Sequence, residues 1–135
     1  TTPDRDEDYG PPPGVTDPDR WPRLDTLELD GAWLGDSLVS ELIRPDWFPA
    51  LTDLDISNNN LTDAGVVDLL NAGVLQRLHR LILGGNPLTD VAAFELAARL
   101  GRSPHLKHLN LRFTNITAAG HAALLPRFGG RLDLF

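Results

Sequence analysis

The stretch LTDLDISNNNLTDAG, Leu51 to Gly65, decides how the whole chain is read. Leu51, Leu54, Ile56, Asn59 and Leu61 stand in the frame L-x-x-L-x-L-x-x-N-x-L, and Leu78, Leu81, Leu83, Asn86 and Leu88 write that frame again 27 residues later. Apolar and polar residues alternate through Leu54-Asp55-Ile56, a period of two that predicts a short strand. After the turn the spacing lengthens, and Val66, Leu69 and Leu70 fall on one side of a helix. A unit of this size buries its apolar side only against a neighbour, so the pattern predicts a stacked array.

The frame extends in both directions. An earlier unit has Leu24, Leu27, Leu29 and Leu34, and a later one has Leu106, Leu109, Leu111 and Ile116. Leu132 and Leu134 predict a fifth, terminal strand. Thr62, Thr89 and Thr117 stand where an N-cap hydroxyl accepts from the first helical turn, with Gly35 at that place in the first unit. Ala93, Leu96, Ala97 and Leu100 form the inward stripe of the third helix, and Leu124, Leu125 and Phe128 that of the fourth. Gly65, Ala92 and Gly120 keep one helix position small, where a large side chain is expected to push helix from sheet. Asn59 and Asn86 close the strand frame, where a buried amide can bond backbone groups left open by the turn. Ala32 and Thr114 fill the same place in the outer units, so this ladder is expected to be incomplete. Strands repeating in one direction require a parallel sheet with right-handed crossovers.

From Leu24 to Leu134 these residues resemble the leucine-rich repeat proteins, and among them the ribonuclease-inhibitor-like subfamily with units of similar length. The closing RFGGRLDLF is similar to the last segments of some bacterial members. The resemblance implies an α/β leucine-rich repeat solenoid, with strands on the concave side and helices on the convex side. It also implies a non-enzymatic module that holds a protein or peptide across the concave face. In that reading the chain is the carboxy-terminal part of a larger bacterial protein; the alternative is a structural or regulatory domain packed against its own upstream region.

Residues 1–20 carry Pro3, Pro11, Pro12, Pro13 and Pro18 with six acidic and two basic residues, too little apolar surface to offset ordering entropy. They read as a disordered acidic linker ahead of a domain at 21–135. Contact between their carboxylates and Arg80, His108, Arg112 or Arg131 is the less favoured alternative. The linker holds −4 of the net charge of −7, so the domain keeps only −3, and nucleic acid is not expected as a partner. No apolar run is long enough to span a membrane, and the amino end TTPDRDEDYG is not a secretory leader, so a cytoplasmic, monomeric domain is expected. The absence of cysteine removes disulfides and thiolate chemistry.

Asp53, Asp55, Ser57 and Asn59 imitate the start of a calcium loop, but Asn58 and Ala64 replace the turn glycine and the bidentate glutamate. His79, His105, His108 and His121 show no metal-ligand spacing and no nucleophile beside them. Neither a cofactor nor an enzymatic activity is expected. Alternation instead names a binding surface: Glu28 and Asp30, Asp53 and Asp55, Arg80 and Ile82, His108, Asn110 and Arg112, with Phe113 beside them. Its first two strands are acidic and the later ones basic, a pattern that suits a partner of opposite polarity. Cross-strand compensation, Asp53 beside Arg80, is the competing reading. Trp21, Trp33 and Trp47, with Phe48, are expected to shield the first unit as an aromatic cap.

Overall fold

A computed structural model describes residues 21–134; the linker expected at 1–20 lies outside the described residues. Each leucine frame forms a strand and each following apolar stripe a helix. The order is β1 (Thr26–Glu28), α1 (Gly35–Leu42), β2 (Asp53–Asp55), α2 (Asp63–Ala72), β3 (Arg80–Ile82), α3 (Asp90–Leu100), β4 (His108–Asn110), α4 (Ala118–Phe128) and β5 (Leu132–Asp133). The five strands form one parallel sheet in chain order. Thr26, Asp53, Arg80 and His108 stand in register, as do Leu27, Leu54, Leu81, Leu109 and Leu132. That register puts the frame leucines on one side of the sheet, where they meet the helix stripes in one continuous core.

Two polar ladders fix one unit to the next. Asn86 is buried; its Oδ1 accepts from the backbone of Asn59 and of Leu61, both at 2.9 Å, and its Nδ2 donates to Ile56 O at 3.1 Å. Asn59 does the same one unit earlier, accepting from Leu34 N at 3.1 Å and donating to Leu29 O at 2.8 Å. Thr114 reaches only Leu111 O within its own turn. The second ladder pairs the aspartate at each helix start with the threonine of the following unit. Asp36, Asp63 and Asp90 accept from the backbone N–H of Thr62, Thr89 and Thr117 at 2.7, 2.8 and 2.7 Å, and also from the three hydroxyls. Thr89 and Thr117 hydroxyls cap their own helices, accepting from Val91 N and Ala119 N at 3.3 Å. The Thr62 hydroxyl makes no such cap, and α1 begins after Leu34 rather than being capped by Gly35.

Three packing expectations change. Leu125 is 53% exposed, whereas its equivalent in α2, Leu70, is buried against α3; no described helix lies beyond α4 to cover it. The small helix position faces the preceding unit as well as its own turn: a Cβ on Gly65 would run into Asp36 and Leu61, and one on Gly120 into Asp90 and Ile116. The tryptophans divide. Trp21 stacks on Phe48 at 6.1 Å and Trp47 is half-buried beside Arg44, but Trp33 is 80% exposed and belongs to no cap.

Candidate functional site

Period-two alternation turns the polar residues of β1–β4 to the side of the sheet opposite the leucines. Glu28, Asp30 and Arg80 are exposed there, and Asp53, Asp55, His108, Asn110 and Arg112 are half-buried. Ile82 is the exception among the expected contacts. Flanked in register by Asp55 and Asn110, it keeps only 8% exposure and presents almost no apolar surface. Arg131 also leaves this face, because its guanidinium donates to Leu106 O and Arg127 O, both at 2.7 Å, and ties down the end of α4.

The carboxylates are organised by neighbouring hydroxyl and amide groups. Asp55 accepts from Ser57 N at 3.0 Å, and the Ser57 hydroxyl lies 2.6 Å from Asp55 and 3.0 Å from Asp30. Asn58 Nδ2 donates to Asp30 at 2.8 Å. The amide of Asn58, and then the hydroxyl of Ser57, hold Asp30 below the usual carboxylate pKa, so it is charged at neutral pH. Asn110 copies the Asp55 turn without charge, accepting from Arg112 N at 2.9 Å. Arg80 stands beside Asp53 in register, yet no ion pair joins them; Asp53 is bonded by the Thr52 hydroxyl instead. Arg112 lies over the Phe113 ring at 5.3 Å, with its Nε 3.8 Å from Asp133 and no hydrogen-bond acceptor. His79 and His105 stack at 6.2 Å, and no group of three metal-ligating side chains occurs among the described residues.

Where the strands end, the turns form a rim with its own pattern. Gly31, Asn58, Gly85 and Phe113 hold one equivalent place, all in left-handed backbone with φ of +71°, +56°, +71° and +59°. Two residues further on, Trp33 and Asn60 are left-handed again, at +55° and +58°. Two shallow depressions meet at Asn58 and Gly85. One, of about 280 Å³, is closed by Trp33 and Pro87, and the other, of about 200 Å³, by Phe113, Arg112 and Asn110. Phe113, 81% exposed, thus belongs to the rim and not to the strand face. The cap expected at Trp33 rests on the clustering of Trp21, Trp33 and Trp47 around the first unit. The signal that places it on the rim is its column in the repeat, shared with Asn60, Pro87 and Asn115.

A family model described as Leucine Rich repeat matches residues 49–70 and 102–125, which are the second and fourth units. With the parallel sheet and alternating helices, that decides the architecture. The fold is a leucine-rich repeat solenoid. No curated protein matches the chain at a significant level. Leucine-rich repeats generally mediate contacts between proteins, and none of the helices described in this leucine-rich repeat domain is long and apolar enough to cross a membrane.

Proposed function

We propose that this leucine-rich repeat domain is a non-enzymatic module that binds a protein or peptide through its concave strand face, and that it belongs to the ribonuclease-inhibitor-like, bacterial branch. The observation that carries the reading is the division of charge across β1–β3, Arg112 beyond them being answered by Asp133. Glu28, Asp30, Asp53 and Asp55 lie on one half, and Arg80 on the other is exposed and forms no ion pair among the described residues, although Asp53 stands next to it. Internal compensation would have brought the two together. Separated fields of opposite sign orient an encounter and penalise a partner with the wrong polarity. The test is capture of partners by the full chain and by the Arg80→Glu, Arg112→Glu double variant, with Arg99→Glu on α3 as control. A partner lost only in the double variant supports the strand face. Loss in the Arg99 variant alone refutes it.

A second reading, a structural domain packed on an upstream region, has one observation in its favour. Trp21, Leu27, Leu29, Leu42, Trp47 and Phe48 line an apolar depression of about 140 Å³ at the first unit. Under that reading Leu42→Asp disturbs assembly and the arginine reversals do not.

A further inference from the structure

The division of charge on the strand face belongs to a division of the whole array. Residues 21–77, the first two units, hold ten acidic and three basic residues, a net charge of −7, whereas residues 78–135 hold three acidic and seven basic, a net charge of +4. On the strand face the boundary falls between β2 and β3. Glu28, Asp30, Asp53 and Asp55 lie on one side of it; Arg80, His108 and Lys107, exposed just before β4, lie on the other. Arg112 adds no free charge there, because Asp133 lies 3.8 Å from its Nε. The two exposed rings of the rim flank the same boundary, Trp33 in the first unit and Phe113 in the fourth. Both are held in left-handed backbone, which disfavours bulky side chains, and both remain about four-fifths exposed, so burial within the chain gives nothing in return. A face whose two halves are opposite in sign, with an exposed ring at the margin of each, is complementary to itself.

We propose that the strand face docks on the strand face of a second copy of this chain, about a two-fold axis that runs along the strands between β2 and β3. The proposal rests on the strand-face reading and names the partner. To oppose two copies of one face, a two-fold axis must lie parallel to the sheet. An axis running across the strands keeps their order, sets β1 on β1 and β2 on β2, and brings carboxylates against carboxylates. An axis along the strands reverses the order and sets β1 on β4 and β2 on β3, acidic half on basic half. The register then fixes which residues meet. Asp53 and Arg80 hold the same position on β2 and β3, so each Asp53 faces the partner's Arg80, twice in the dimer. By the same rule Thr26 faces the partner's His108, Glu28 the partner's Asn110, and Asp55 the partner's Ile82. Rim meets rim, and Trp33 comes over the fourth-unit rim of the partner. The exposed Arg80, which leaves its own Asp53 unbonded, thereby finds a carboxylate. Five strands span only about 24 Å, at the small end of specific interfaces, so the dimer is expected to be weak, concentration-dependent and sensitive to salt. The monomer expected from the sequence is its dilute form.

The test is sedimentation of the purified full chain in low salt over rising concentration. The weight-average mass is expected to climb towards twice that of the monomer and to fall back in high salt. Arg80→Glu and Asp53→Arg should each weaken self-association by at least about tenfold, because the two-fold axis makes every reversal count twice. An equimolar mixture of the two variants should dimerise as the parent does, since in the mixed dimer each charge at positions 53 and 80 again faces its opposite. That recovery also shows that both variants are folded. A chain that stays monomeric at millimolar concentration in low salt overturns the proposal. So does a dimer that either reversal leaves intact, or one that the mixture fails to restore. In each of these cases the strand-face reading stands, because its own test is capture of another protein and not self-association.

Discussion

Phe113 separates what stabilises this molecule from what else its sequence serves. Left-handed backbone costs a bulky residue about 1–2 kcal/mol, while glycine gives up only about 0.5–1 kcal/mol through the entropy of the unfolded chain. Phe113→Gly is therefore expected to raise stability slightly, by up to about 1 kcal/mol. Urea unfolding provides the measurement. A clear loss of stability would mean that the ring packs in a way its 81% exposure does not show. Asn86 is the opposite case, since its amide serves four neighbours at 3.1 Å or less and is 1% exposed. Asn86→Ala leaves two buried N–H groups without an acceptor, and a cost on the order of 2–5 kcal/mol follows. Thr114→Ala, which loses one bond inside its own turn, is expected to cost about 1 kcal/mol. Equal melting shifts for the two would contradict the ladder. The asparagine was legible because the leucine frame itself ends on it. The strain at Trp33 and Phe113 was not, because a leucine frame records which side a residue faces and nothing about the sign of φ.

Among elements, each helix is specified by what its neighbours need. Leu54 and Leu81 lie between flanking strands at 1% or less exposure, so Leu54→Ala or Leu81→Ala is expected to cost about 2–5 kcal/mol. Leu125→Ala on α4 is expected to cost under about 1 kcal/mol in the same urea titration, because the side chain is 53% exposed and no described helix lies beyond α4. A large effect there would imply an unseen covering element. Helical periodicity placed Leu125 inside correctly for an interior unit; the failure came from treating the last unit as one. The aspartate–threonine ladder is present in the sequence as a Thr-Asp pair recurring at 62–63 and 89–90, but the leucine frame itself does not imply that the two residues bond across units. Its charge gives a pH signature. Asp90 is held below the ordinary carboxylate pKa, first by the Thr117 hydroxyl and then by the Thr117 N–H. A lowered folded-state pKa means that the stabilisation is complete above the unfolded value of about 3.9 and is lost as pH falls through the folded one. Asp90→Asn is thus expected to melt below the parent at pH 7, with the gap closing under strong acid. A gap that stays constant with pH would assign the effect to geometry instead of charge.

For the whole molecule, the repeat residues have a direction. The asparagine, the threonine and the small helix position all engage the preceding unit, and the first unit carries Ala32, Gly35 and Leu38 in those columns; the aspartate engages the following unit, and the fourth carries Ala118 there. Four units and a terminal strand were therefore legible as an architecture, and alternation also named the acidic and basic strands; which of those charges are paired depends on which side chains bond to which neighbours, and no periodicity encodes that. Direction also predicts how the array opens. Solenoid stability is a sum of unit and interface terms, so a unit with one interface opens more readily than one with two. Leu29 and Leu83 make a clean comparison, since each amide donates to the adjacent strand, to Asp55 O at 2.8 Å and to Asn110 O at 2.9 Å. Their hydrogen bonds are equivalent, but Leu83 is fully buried in the third unit whereas Leu29 is only half-buried in the first. Native-state hydrogen exchange should find the Leu83 amide protected to near the global unfolding free energy and Leu29 exchanging faster by a local route. Addition of mild denaturant distinguishes the routes: exchange at Leu83 should accelerate steeply with concentration, and exchange at Leu29 hardly at all until global unfolding overtakes it. Equal protection with equal denaturant dependence at both amides would mean that the whole array opens as one unit and that the amino-terminal end is closed as firmly as its middle.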